Sequence, residues 1–279
     1  TAMVGLTLQR VTGDRFMLGL GASGPQVVEG LHGVPFARPL TRMRETIEVI
    51  RMAEAGERLS YDGEEITLPR PGGEGKAIRL ALRPDGDPLR IYLASLSPRM
   101  LELTGEVADG WLGTSFVPEG AQPSFDALTV GAARAGRTLD DLDLCQGAEV
   151  AFADDPGDLG GMVAARKPGL AFSLGGMGSA ETNFYNDAYA RQGYAEVAAE
   201  SQALWVDGRR DEAAAVIPDE MVLATSLIGT EEMVGARLRA WQAVGIDQVR
   251  LYPAGSTLDE RLSTLGQALD LVADLESRP

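Results

Sequence analysis

Five short apolar runs, each followed by a helix-like segment, constrain this chain more than any other feature. Arg15 to Gly21 (RFMLGLG), Arg90 to Ala94 (RIYLA), Gly110 to Ser115 (GWLGTS), Asp143 to Ala153 and Gln248 to Tyr252 (QVRLY) read as strands. Between them lie segments with helical spacing. Met43, Ile47, Ile50 and Met52 mark a helix over Pro39 to Gly56, and others are expected over 98–107, 124–135, 230–244 and 258–275. A tail of helix over Thr1 to Asp14 should stop at Gly13, and Leu59 to Leu68 reads as a hairpin turned at Asp62-Gly63, followed by a Pro/Gly-rich loop. Strands alternating with helices imply parallel strands joined by crossovers. Five such units leave two architectures open, an open doubly wound sheet or part of a barrel that needs eight. The 279 residues are read as one domain, with a helical insertion at about 158–215.

Residue scarcity narrows the chemistry. His32 is the only histidine and Cys145 the only cysteine, so a His-rich zinc site and an intrachain disulfide are both out of reach. No metal site is expected, although carboxylates leave Mg²⁺ open. The only lysines, Lys76 in a Gly-rich loop and Lys167 before Pro168, are poorly placed for Schiff-base work. A net charge of −16 repels nucleic acid and anionic membrane surfaces. No signal or spanning segment is visible, and the lone cysteine fits a reducing cytoplasm.

Gly19-Leu20-Gly21-Ala22-Ser23-Gly24 matches the dinucleotide pattern G-x-G-x-x-G after a strand. Its context argues against that reading. Pro25, Gly30, Gly33, Pro35 and Pro39 are expected to keep the next segment irregular, and no second strand follows soon.

The same stretch, RFMLGLGASGPQVVEGLHGVPF (15–36), closely resembles the fourth strand and following loop of luciferase-like barrel enzymes, in the subgroup that uses coenzyme F420, a 5-deazaflavin. IYLASLSPRMLELTGEVADGW (91–111), LGGMGSAETNFYNDAYARQGYAE (174–196) and ATSLIGTEEMVGARLRAWQAVGIDQVRLYP (224–253) resemble later segments in the same order. The resemblance implies a (β/α)8 TIM barrel of the luciferase-like type, here represented by strands four to eight. The N-terminal strands one to three are then expected to be absent from this chain, which would leave an open strand edge, weak cofactor binding and little turnover.

The resemblance also directs attention to loops after strands. Gly21, Ser23, Gly24 and Gln26 lie on one. Gly24 admits a flat ring to the backbone, while Ser23 and Gln26 offer hydrogen bonds; a plain turn is the alternative. Ser95, Leu96, Ser97, Pro98 and Arg99 open a helix whose N–H groups and dipole suit a phosphate, the alternative being a simple N-cap. Gly175, Gly176 and Met177 read equally as a cradle for an anion or the cofactor tail and as a turn between helices. His32 and Glu29, on the loop after the first strand, are the acid or base candidates. Trp111 and Trp205 read as anchors of the core or an interface.

The implied reaction is hydride transfer between reduced F420 and a small organic substrate, by a cytoplasmic homodimer. Two other readings stand beside it: an FMN-dependent monooxygenase on the same fold, and a non-catalytic flavin-binding protein.

Overall fold

The computed structural model describes residues 1–81 and 86–277. Part of the expected Pro/Gly-rich loop, 82–85, lies outside the described residues. Two compact units emerge, one of residues 1–112 and 126–142, the other of 113–125 and 143–279.

The first unit begins with α1 (Ala2–Thr12), which stops where the sequence indicates. Gly13 is left-handed at φ 61°, and the Asp14 N–H reaches back to the Gln9 carbonyl at 3.0 Å. Then come β1 (Met17–Gly21), α2 (Pro25–His32), α3 (Pro39–Glu54) and the hairpin strands β2 (Tyr61–Asp62) and β3 (Thr67–Leu68). β4 (Arg90–Ala94), α4 (Pro98–Val107), β5 (Gly110–Gly113) and α5 (Gln122–Arg134) follow, the last two each sharing their sequence with the second unit.

β4 is the middle strand here. It is parallel to β1, with Met17 opposite Arg90 and Gly21 opposite Ala94, and parallel to β5, with Leu93 opposite Trp111. Ile91 and Leu93 pack on Leu6 of α1 and on the Met43, Ile47, Ile50 stripe of α3, all buried. Removing those side chains from water supplies most of the unit's stability. α4 and α5 approach so closely that a Cβ on Gly131 would fall 1.7 Å from the Glu102 carbonyl oxygen. One Cβ on Gly105 would fall 2.0 Å from that of Leu128.

The hairpin is anchored from α3. Buried Glu45 accepts the N–H groups of Glu64, Glu65 and Ile66 at 2.7–2.9 Å. The tight turn runs from Gly63 to Ile66 rather than at Asp62-Gly63, because this carboxylate gathers its amides.

The second unit is built on β6 (Asp143–Phe152). After it come α6 (Leu159–Ala164), α7 (Lys167–Ala171), α8 (Phe184–Tyr189), α9 (Ala195–Val206), α10 (Arg210–Ala215) and α11 (Asp219–Thr225). β7 (Leu227–Gly229), α12 (Glu231–Ala243), β8 (Gln248–Pro253) and α13 (Leu258–Ser277) complete the chain. β6 is parallel to β7 over Val150–Phe152 and to β8 over Cys145–Val150. β7 is a strand additional to the five read from the sequence; three residues between two helices are too short to show a period. The expected insertion is helical, but its helices run on to Thr225 around a core of Leu174, Ala198, Ala213, Ile217 and Met221.

Candidate cofactor and substrate site

β1 and β4 end level, and each leads into a helix by the same short step. Gly21 is followed four residues later by Pro25, the first residue of α2, and Ala94 by Pro98, the first of α4. Proline suits that position because its φ is preset and the missing N–H has no intrahelical partner to lose. The helix caps are Gly24 and Ser97, and neither receives a side-chain cap bond. Two helix mouths, each with first-turn N–H groups and a positive dipole end, therefore open beside one another at the carboxyl edge of this sheet.

One expectation is corrected at once. The segment after Gly24 is not irregular, because α2 forms there and is closed by left-handed Gly33. The dinucleotide reading still fails, since α2, α3 and a hairpin intervene before the parallel neighbour β4. The same correction moves His32 and Glu29 off a loop. His32 is the last residue of α2 and is exposed. Glu29 spends one oxygen on the Phe36 N–H at 3.0 Å, which pins the chain as it leaves the helix. At 1.5 Å rise per residue, His32 stands roughly 10 Å along α2 from Pro25, away from the mouth.

The glycine loop is open. Ser23 is exposed in the left-handed region at φ 59°, a conformation uncommon outside glycine. A Cβ on Gly24 would meet only the flexible Gln26 Oε1, at 3.2 Å. In the second loop the serines divide their work. Buried Ser95 is fully committed: its hydroxyl bonds Thr104 Oγ1 at 2.8 Å, and its carbonyl accepts the indole N–H of buried Trp111 at 3.0 Å. Trp111 is thus a core anchor. Ser97, half-buried, presents the cap, with Leu96 before it and exposed Pro98 and Arg99 after it.

Gly175, Gly176 and Met177 lie in the second unit, and packing accounts for the two glycines. A Cβ on Gly175 would stand 2.3 Å from the Trp205 Cβ, and one on Gly176 2.5 Å from the Phe172 ring. Gly176 ends a π-turn, and Met177 follows it exposed. Trp205 holds Phe172 edge-on at 5.7 Å and Arg210 over its face at 5.1 Å. The neighbouring asparagines are structural. Asn183 caps α8 through the Tyr185 and Asn186 N–H groups, and Asn186 donates to the Leu174 and Ala198 carbonyls.

The sequence reading missed two features of this unit. Ser115, just past β5, is left-handed at φ 53°, and buried Gln192 holds its carbonyl at 2.7 Å and the Val117 N–H at 2.7 Å. Tyr189, behind it, is wholly buried, which pushes its phenol up to about 12 against its bonds to Ser115 and Thr225. The other feature is a polar face shared by β6 and β8. Cys145, Gly147 and Glu149 stand in register with Gln248, Arg250 and Tyr252. Burial pushes the Cys145 thiol up more than the adjacent Arg250 pulls it down. Gln248, Arg250 and Tyr252 alternating with Val249 and Leu251 in β8 were the available signal, whereas buried Gln146 on the other face interrupts the pattern in β6.

Among the described residues no group of His, Cys, Asp and Glu is placed to hold a metal ion, and no helix is long and apolar enough to cross a membrane.

Parallel strands that lead into helices at their carboxyl ends define an α/β protein. Residues 1–248 match the profile of the luciferase-like monooxygenases, and the chain belongs to that family. Its relatives include Rv3520c of Mycobacterium tuberculosis, assigned by name to the coenzyme F420-dependent oxidoreductases. The two are 39% identical over 262 residues, covering 91% of this chain and 74% of the relative. The 5,10-methylenetetrahydromethanopterin reductase of Archaeoglobus fulgidus is 27% identical over 264 residues, covering 94% and 75%. Among solved structures, the coenzyme F420 dependent tetrahydromethanopterin reductase of Methanopyrus kandleri superposes with a TM-score of 0.73 over 97% of this chain and 76% of that one. Its identity is 22%, so it speaks for the luciferase-like fold.

Proposed function

We propose that the chain is a coenzyme F420-dependent oxidoreductase that transfers a hydride between the deazaflavin and a small organic substrate. The observation that carries this reading is the pair of uncapped helix mouths at Gly24 and Ser97, on a chain 39% identical to a relative named for that cofactor. The residues present fit the group chemically. Gly24 leaves the backbone open to a flat ring, and the Ser23 hydroxyl and Gln26 amide are exposed beside it. Ser97 and the first turn of α4 offer N–H groups to a phosphate, with Arg99 adding positive charge in a chain whose net charge is −16. When bound, the deazaflavin supplies the hydride chemistry. The protein's own part is to bind, orient and shield it. Ser95, locked to Thr104 and Trp111, fixes the turn that carries Ser97.

Fluorescence titration of the purified protein with F420 and with FMN tests the reading. Tighter binding of F420 supports it. Tighter binding of FMN would move the protein to the oxygen-using side of its family.

A further inference from the structure

α1 is apolar on two sides. Gly5, Leu6 and Gln9 are buried, with Leu6 in the core beside Met43 and Ile47. Val4, Leu8 and Val11 recur at helical spacing, and at about 3.6 residues per turn they lie on the side opposite Leu6. They are 60%, 37% and 76% exposed. A surface helix ordinarily turns a polar face to water, whereas one apolar on both sides belongs between two layers.

The polar groups along that outer side are already satisfied. Thr7 Oγ1 donates to the Met3 carbonyl at 2.8 Å, and Thr12 Oγ1 donates to the Leu8 carbonyl at 2.8 Å. Neither hydroxyl proton loses a partner when the face is covered, so covering it is cheap. Arg10 is the only charged side chain of α1 and lies off the Val4–Leu8–Val11 row. No Asp or Glu occurs between Thr1 and Gly13, in a chain that carries 41 of them.

That absence selects the occupant. Two copies of a chain with net charge −16 repel one another over most of their surface and meet most readily where carboxylates are missing. α13 has an outward row too, Leu258, Leu262 and Leu269, but exposed Asp259 and Asp270 flank it, so it pairs poorly with itself. We propose that the outer face of α1 is a self-association surface, on which α1 of a second copy packs about a two-fold axis. The same residues then face each other from both copies, with Leu8 near the axis. α1 has 11 residues and is roughly 16 Å long. Alone it falls short of the about 800 Å² per partner of a stable interface, so the dimer is weak and concentration-dependent. It involves no cofactor and stands apart from the oxidoreductase reading.

Sedimentation velocity on the full chain without cofactor, from micromolar to millimolar concentration, tests this. The expected result is a monomer–dimer shift that tightens as salt screens the net charge. Val4→Glu and Val11→Lys should each weaken the dimer at least tenfold, and Leu262→Glu on α13 should leave it unchanged. Each α1 substitution adds a charge that suits its own end of the helix dipole, so the fold should hold, which a thermal melt checks. A monomer at every concentration, a dimer weakened by salt, or a dimer that survives both α1 substitutions would each overturn the proposal. So would a dimer lost in Leu262→Glu.

Discussion

Gly21 and Ala94 stand opposite one another at the ends of two parallel strands, and a Cβ on Gly21 would come within 3.3 Å of the Ala94 Cβ. That pairing sets α2 and α4 level, because each helix begins four residues beyond it. Two helix N-termini without side-chain caps thus begin at one edge of the sheet, and the consequences of the proposed cofactor role can be measured.

Ser97→Asp places a negative charge at the mouth of α4. If that mouth holds the cofactor phosphate, F420 affinity should fall tenfold or more, equivalent to about 1.4 kcal/mol. Aspartate is itself a good N-cap, so the melting temperature should hardly move. Paired titration and thermal melts check this; unaltered affinity would reduce the turn to a cap.

Gly175→Ala drives a methyl group into Trp205. Overpacking of this kind costs about 1–3 kcal/mol. Denaturant unfolding should show that loss, while F420 affinity of the folded protein stays as it was. Intact stability with lost affinity would instead restore Gly175 as a cofactor contact.

Glu45 links stability to pH. Burial raises its pKa, but the three backbone N–H bonds from Glu65, Glu64 and Ile66, with Arg38 nearby, lower it further, and the net shift is downward. A depressed folded value stabilises the protein above the unfolded carboxyl value of about 4.3. That contribution disappears as pH falls through the folded value. Glu45→Gln should cost about 1–3 kcal/mol at pH 7. Its stability should then fall less between pH 5 and 3, on the order of the unfolded carboxyl range, than that of the unaltered protein. Parallel slopes in denaturant melts would refute the assignment.

The parts of this structure that were legible in the sequence are those with a period. Met43, Ile47 and Ile50 show α3, RIYLA shows β4, and Gly13 marks the end of α1, where a positive φ favours glycine. α2 was hidden because the prolines and glycines in and around it look like breakers, although Pro25 sits where proline starts helices. β7 was hidden by its length. The level ends of β1 and β4 were latent in the matching steps from Gly21 to Pro25 and from Ala94 to Pro98, yet only the register shows that they are neighbours. Glu45 on its hairpin and Ser95 on Thr104 and Trp111 are contacts across the chain, which no local pattern encodes.

The central claim is that the loops after β1 and β4 serve a deazaflavin. It is tested most directly by expressing the protein in a host that makes F420, purifying it, and identifying any copurified cofactor by mass. The account predicts F420 in the wild type and its depletion in Ser97→Asp. FMN in the wild type, or F420 retained equally by Ser97→Asp, would contradict it.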